Sequence, residues 1–361
     1  MERPGNTPRP IRVLVVDDSA FMRKVLTDLL QTEPSVTVVG TARDGQDGVE
    51  KAMALQPDVI TLDIEMPRLD GYGALREIMS QRPTPVVMVS SLTREGAEAT
   101  VRALALGAVD FVAKPSGSIS LNMHVARDEL VVKVKAAAGA TPRYRRVLGD
   151  LPPLRRETKP APVRKAAEAG GGMPRRLVVI GCSTGGPGAL HQIIPRLPAD
   201  LDAAVLVVQH MPPGFTRSLA TRLDEISAIP VKEAEEGDRV TAGQVLVAPG
   251  GFHMLVDAGG AIRLNQDPPM HGVRPAVDKT LESTVPLWKG EMVGVILTGM
   301  GYDGAKGMVG LKKAGGRTIA EDASTCVVYG MPKVVVEMGA ADRVLPVHDI
   351  ADAIVRLVRE G

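Results

Sequence analysis

Ser183 stands in the run Val-Ile-Gly-Cys-Ser-Thr-Gly-Gly-Pro-Gly (residues 179–188), where small residues crowd around a hydroxyl just past an apolar stretch. A serine hydroxyl is inert near neutral pH until a base takes its proton and a third group orients that base. His210, closing AVLVVQH, and Asp303, in the glycine-rich ILTGMGYDGA, are the candidates for those two roles. A helix opening after the glycine turn would point backbone N–H groups at a developing oxyanion. Together these residues suit nucleophilic attack on an acyl group. Singly, each has an ordinary structural use: Ser183 as a helix cap, His210 in packing, Asp303 in a turn. Cys182 competes with Ser183, because a thiol–histidine pair also cleaves acyl bonds. Ser183 is preferred, since the residue still on the strand side points into the sheet and the next one reaches the helix mouth.

A phosphate cradle is the other use of such a turn. The Walker pattern needs a lysine after the last glycine, and none follows Gly185 or Gly186; in a dinucleotide fingerprint, Cys182 and Ser183 would occupy the middle. The remaining histidines compete poorly with His210. His124 and His348 lie in helical or terminal segments and His191 within the following helix, while His253 and His271, in loops, could at most touch substrate.

A second chemical set occupies the first third of the chain. Asp17 and Asp18 follow the apolar run RVLVV (12–16), Asp63 follows DVITL (58–62), Ser90 follows PVVMV (85–89) and Lys114 follows DFVA (110–113). Ligands of parallel α/β sheets bind beyond the carboxyl ends of the strands, so these groups should converge. Three converging carboxylates repel one another unless a hard cation such as Mg²⁺ joins them. A lysine and a hydroxyl beside them suit a phosphoryl group. One acid alone at a strand end would be a turn residue; this set is harder to explain that way. Lys114-Pro115 adds a turn that a cis bond could use.

The elements that must carry these groups are short apolar runs alternating with amphipathic ones. The four runs above, with TVVG (37–40), predict five strands. Met22, Val25, Leu26, Leu29 and Leu30 fall at helical spacing behind a capping Ser19. Five strands alternating with helices predict an open parallel sheet covered on both faces, a flavodoxin-like arrangement. From Leu177 the rhythm resumes with LVVIG, AAVLVVQ, QVLVAPG, VGVILTG and RTIA. This predicts a second, doubly wound, mainly parallel α/β domain. Parallel strands would bring Ser183, His210 and Asp303 to one edge. We therefore expect domains over 10–130 and 176–361, joined by a flexible basic linker over 131–175. Residues 141–176 hold six prolines, a GGG run and ten basic residues against three acidic ones. That composition suits a solvated connector, or an arm for an anionic partner.

Basic and acidic residues balance at 43 and 42, so the chain as a whole has no nucleic-acid or membrane signature. Aromatics at 2% leave few rings to stack on bases. No apolar run reaches the ~20 residues of a membrane span, and the opening residues lack a secretion-signal stretch. Two cysteines are too few for a disulfide framework and fit a reduced, cytoplasmic setting.

VLVVDDSAFMRKVL, TLDIEMPRLDG, VVMVSS and DFVAKP resemble the receiver domain of bacterial two-component response regulators. VIGCSTGGPGAL, VQHMPPGFTRSLATRLD, VKEAEEGDRV, VLVAPGGFHM, RPAVDKTLES, GVILTGMGYDGAKGM and ASTCVVYGMP resemble the effector domain of the chemotaxis protein-glutamate methylesterases, the CheB-type response regulators. The receiver resemblance implies that Asp63 accepts a phosphoryl group from a CheA-type histidine kinase. It further implies that Asp18, Asp17 and the Glu65 main-chain carbonyl hold Mg²⁺ with Asp63, that Ser90 and Lys114 contact the phosphoryl oxygens, and that Phe111 reorients on activation. The effector resemblance carries the catalytic roles to Ser183, His210 and Asp303, and oxyanion main-chain donors to Met300 and Thr184. Cys182 departs from the small residue common there.

The implied activity is hydrolysis of glutamyl γ-methyl esters on methyl-accepting chemoreceptors, releasing methanol. Ester hydrolysis calls for no cofactor, and the same attack on a receptor glutamine would deamidate it. Phosphorylation would relieve inhibition by the receiver, which the resemblance implies covers the active site. A monomer is expected, with no nucleic-acid partner and no insertion into the membrane. Two other outputs are open to such a regulator. A DNA-binding module would need a compact basic helical unit, whereas the βα rhythm runs throughout the C-terminal half. A nucleotide-binding module would use the glycine turn but leaves His210 and Asp303 unexplained.

Overall fold

The computed structural model describes residues 9–114, 122–149 and 173–360, and divides into two compact units. The peptide bond between Lys114 and Pro115 and most of the expected linker lie outside the described residues. Chain order in the first half is β1 (Ile11–Val16), α1 (Ala20–Gln31), β2 (Val36–Ala42), α2 (Gly45–Leu55), β3 (Val59–Asp63), α3 (Gly71–Gln81), β4 (Val86–Ser90), α4 (Arg94–Ala105), β5 (Asp110–Ala113) and α5 (Asn122–Gly149). The five strands form one parallel sheet in the order β2-β1-β3-β4-β5. Strands β3 and β4 are buried along their whole length, as continuous apolar runs covered on both faces must be.

Ser19 caps α1 by accepting from the Met22 N–H, and Met22, Leu26, Leu29 and Leu30 form its buried stripe. Helix α5 runs through residues 131–149, which the sequence reading placed in the linker. Its own periodicity explains the difference: Leu130, Val134, Ala137 and Ala140 recur at helical spacing and are buried.

The second half contains β6 (Leu177–Cys182), α6 (Gly186–Ile193), β7 (Ala204–Gln209), α7 (Phe215–Ile226), β8 (Val231–Glu233), β9 (Val245–Val247), β10 (His253–Val256), β11 (Ile262–Asn265), α8 (Val277–Trp288), β12 (Met292–Ile296), α9 (Ala305–Lys313), β13 (Arg317–Glu321), α10 (Met331–Glu337), β14 (Arg343–Leu345) and α11 (Val347–Glu360). Seven strands make a parallel sheet in the order β14-β13-β12-β6-β7-β9-β8, and β10 and β11 pair antiparallel outside it. The short β8, β10, β11 and β14 were not anticipated, and His253 lies on β10 rather than in a loop. From β6 the chain builds outward through β7, then returns to β6's other side at β12 and builds outward again. The β6–β12 border is therefore a switch point, where diverging connections leave a crevice above the strand ends.

Candidate active site and acidic pocket

The equivalent switch point of the first sheet lies between β1 and β3, and the acids gather there. Asp17 and Asp63 are buried, and with Asp18 they place one carboxylate oxygen each within 4.8 Å of the others. Lys114 Nζ donates to Asp63 Oδ2 at 2.7 Å and lies 3.4 Å from Asp17 Oδ2. The backbone N–H groups of Ile64 and Ser19 donate to Asp63 Oδ1 and Asp17 Oδ1. Burial raises the pKa of both acids, and the Lys114 ammonium only partly offsets it. One ammonium faces three carboxylates, and the buried Asp17 Oδ2 has no hydrogen-bond partner among the described residues. A divalent cation fits that deficit in charge and bonding.

Ser90, at the end of β4, is buried, and its carbonyl accepts the Lys114 N–H at 2.7 Å. Glu65 follows two residues after Asp63, in the loop leading to α3. Phe111 is buried on β5, with Lys133 Nζ 4.9 Å from its ring centroid. Gly71 explains why a glycine starts α3, since a Cβ there would collide with the Asp63 carbonyl.

In the second sheet Ser183 and His210 follow directly on Cys182 and Gln209, which are partners in the β6–β7 register. The His210 N–H donates to the Cys182 carbonyl at 3.1 Å, and the Ser183 N–H donates to the Thr298 carbonyl, just beyond β12, at 3.1 Å. Ser183 thus sits at the middle of three adjacent strand ends. Asp303, in the loop after β12, accepts from His210 Nε2 at Oδ2, 2.8 Å. It also accepts the Val277 N–H at 2.6 Å and the Asp278 N–H at 3.0 Å, so it caps α8 while holding the imidazole. Burial would raise its pKa, but the His210 contact and these two N–H groups outweigh it and hold the carboxyl below its usual value. An ionised Asp303 can only accept, so Nε2 carries the proton and Nδ1 is the imidazole's basic nitrogen.

Close backbone approach completes the rim. A Cβ on Gly299 would lie 2.7 Å from the Ser183 Cβ and 3.0 Å from its N, so glycine lets the β12 loop reach the Ser183 turn. Met300 is the next residue, exposed at the loop's crest, while Thr184 is buried with its carbonyl accepting from Thr298 Oγ1. Gly185 takes φ +80°, and a Cβ there would press on Val327 at 2.6 Å. Cys182 is buried inside the sheet and its Sγ donates to Gln209 Oε1 at 3.0 Å. Burial, with Glu321 nearby, drives the thiol's pKa far up, which disfavours the thiolate that a cysteine nucleophile needs.

Several residues of this site escaped the sequence reading. Gln209 Nε2 donates to the carbonyls of Ser183 and His210. Glu321, at the end of β13, accepts the Thr298 N–H at 2.8 Å and the Thr325 hydroxyl at 2.9 Å; burial pushes its pKa up to about 7 against those bonds. Asp278 accepts the Gly307 N–H and lies 3.0 Å from His271 Nε2, whose ring meets Tyr302 edge-on. Only the position of Gln209, beside His210 at a strand end, carried any sequence signal.

The two switch-point clefts define a response regulator with an enzymatic output, and comparison with known proteins agrees. The response regulator receiver domain model matches residues 13–126, and the CheB methylesterase model matches residues 178–354. The protein-glutamate methylesterase/protein-glutamine glutaminase of Symbiobacterium thermophilum is 77% identical over 356 residues, covering 98% of each chain. That of Pyrococcus abyssi is 50% identical, covering 98% of this chain and 95% of its own. The crystal structure of the Thermotoga maritima CheB methylesterase catalytic domain is 51% identical and covers 50% of this chain and 98% of that one, with a TM-score of 0.49. The chain belongs to the protein-glutamate methylesterase/protein-glutamine glutaminase family.

Proposed function

We propose that this chain hydrolyses glutamyl γ-methyl esters on methyl-accepting chemoreceptors, deamidates receptor glutamines at the same site, and is activated by phosphorylation of Asp63. The observation that carries the hydrolase reading is the 2.8 Å bond between His210 and Asp303 at the strand-end rim that Ser183 shares. In this reading Ser183 Oγ attacks the ester carbonyl as His210 Nδ1 takes its proton. Asp303 holds the imidazole and stabilises the imidazolium that forms. The Met300 and Thr184 main-chain N–H groups would receive the oxyanion. His210 then returns the proton to the departing methanol, or to ammonia from an amide, and activates the water that frees the enzyme.

In the receiver, Asp17, Asp18, Asp63 and the Glu65 carbonyl would hold Mg²⁺, which supplies charge neutralisation for a phosphoryl group arriving at Asp63. Lys114 and Ser90 would contact its oxygens. The kinase would be of the CheA type. A phosphoaspartate brings up to two negative charges into a pocket already rich in acids, enough to rearrange the surrounding loops and to reorient Phe111 on β5. A receiver that extends through α5 and a catalytic half over 176–361 serve this scheme. A catalytic half freed of residues 1–140 should show higher basal activity, and unchanged or lower activity would argue against an inhibitory receiver. Among the described residues no helix is long and apolar enough to cross a membrane, so the reading has the enzyme meet the receptor from solution.

The test is methanol release from methylated receptor membranes, with and without a small-molecule phosphodonor. The native chain should release methanol faster with the donor, and Ser183→Ala should release none above background in either condition. Methanol release by Ser183→Ala equal to that of the native chain would refute the assignment.

A further inference from the structure

Gln209 closes β7, one residue before His210, with its side chain 2% exposed beneath the Ser183 turn. All of its polar atoms are engaged. Nε2 donates to the Ser183 carbonyl at 3.0 Å and to the His210 carbonyl at 3.2 Å, while Oε1 accepts from Cys182 Sγ at 3.0 Å. The amide's orientation follows from its neighbours, because the flipped form would press Oε1 against two carbonyl oxygens. A Cβ on Gly186 would collide with Oε1, so glycine there keeps space for the amide.

The consequence lies in what the two carbonyls belong to. One is the carbonyl of the nucleophile, the other that of its base, and they come from different strands. A single amide therefore ties the two turns together at a fixed separation. The rest of the Ser183 backbone is held from elsewhere: its N–H by the Thr298 carbonyl, and its carbonyl also by the Gly186 N–H at 2.8 Å. With its N–H and its carbonyl both engaged, the direction of the Ser183 Cα–Cβ bond is set before substrate arrives. Fully satisfied buried networks of this kind resist rearrangement.

We infer that Gln209 is a positioning residue for the hydrolysis, its side-chain amide fixing the distance between Ser183 and His210. The inference rests on the hydrolase reading above. Glutamate at this position would turn an oxygen toward two carbonyls and lose the donors. Methionine fills similar volume and offers neither donor nor charge. Each should leave receptor binding intact and misplace the nucleophile relative to its base, an error that costs about 10²-fold in rate when it approaches 1 Å.

The experiment compares full-length Gln209→Glu and Gln209→Met with the native chain under phosphodonor. It measures methanol release as kcat and KM, and labelling of Ser183 by a fluorophosphonate. We expect kcat and the labelling rate to fall together by about 10²-fold while KM stays within about threefold. A folded Gln209→Met with kcat within about threefold of native would overturn the inference. Should Gln209→Glu not fold, Gln209→Met decides; should neither fold, the residue serves stability alone and the inference also fails. Ser183→Ala in the same assay separates the two claims. An active Ser183→Ala sinks the hydrolase assignment, whereas an inactive one beside a fully active Gln209→Met sinks only the role of Gln209.

Discussion

The two clefts occupy equivalent places, each above a switch point of a parallel sheet, yet their electrostatics are opposite. Above β1 and β3, three carboxylates face one ammonium, and Asp17 Oδ2 lacks a hydrogen-bond partner among the described residues. Above β6, β7 and β12 the acid is already satisfied: both oxygens of Asp303 accept hydrogen bonds, and Gln209 and Glu321 are bonded beneath. A pocket left with surplus charge responds strongly to an added cation or phosphoryl group. A cleft whose groups are already paired changes little when substrate binds and keeps its geometry for the reaction. The same topology therefore builds a switch in one half and a preorganised catalyst in the other.

The sharpest way to break this contrast is to unbalance the satisfied side. Asp303→Asn would turn an amide NH₂ or a neutral oxygen toward His210. If the NH₂ faces the ring, Nε2 must accept and Nδ1 carries the proton, so the imidazole cannot take one from Ser183. We expect kcat to fall by about 10³–10⁴-fold with the fold retained, read from methanol release and circular dichroism. Asp303→Ala should cost stability as well, because the Val277 and Asp278 N–H groups would be left buried and unpaired.

Glu321, hydrogen-bonded but fully buried, is an acid of the catalytic half whose pKa burial shifts strongly upward, and it tests the comparison next. Its folded pKa of about 7 lies above the ordinary 4.5, so the folded state binds more protons than the unfolded state between those values. Stability therefore falls as pH rises through that window and levels off above it. Glu321→Gln should flatten the slope and melt higher than the native chain at pH 8, by up to about 3 kcal/mol. A native slope surviving in the variant would assign the effect elsewhere.

On the receiver side, Asp63→Asn should abolish stimulation by a phosphodonor, a loss of about 5–150-fold in activation if the coupling has the usual size. The smallest effect concerns Mg²⁺ itself. Added Mg²⁺ should raise the receiver's melting temperature by a few degrees in the native chain, roughly as expected of a ligand bound only by the folded state, and not in Asp17→Asn. An equal rise in both would remove Asp17 from the proposed ligand set.

Much of this was legible in the chain. The apolar runs of β1, β3, β4, β6, β7, β9 and β12 were readable because parallel strands buried on both faces are rich in Val, Ile and Leu. Ser19 was readable as a cap because a helical stripe follows it. The extension of α5 to Gly149 was not, since lysines and arginines obscured its stripe of Leu130, Val134, Ala137 and Ala140. Nor were β8, β10, β11 and β14, which are three or four residues long and leave little periodicity to detect.

The candidate groups and their places at the ends of apolar strands were legible in the sequence, because residue type and strand rhythm are local properties. Only the tertiary structure decided which nitrogen of His210 meets Asp303, that Gln209 bonds the Ser183 and His210 carbonyls, and that Glu321 accepts from Thr298. Those are relations across strands, such as the hydrogen bond from Thr298 to Thr184, 114 residues apart. No periodicity encodes them; they follow from how the sheet is ordered and packed.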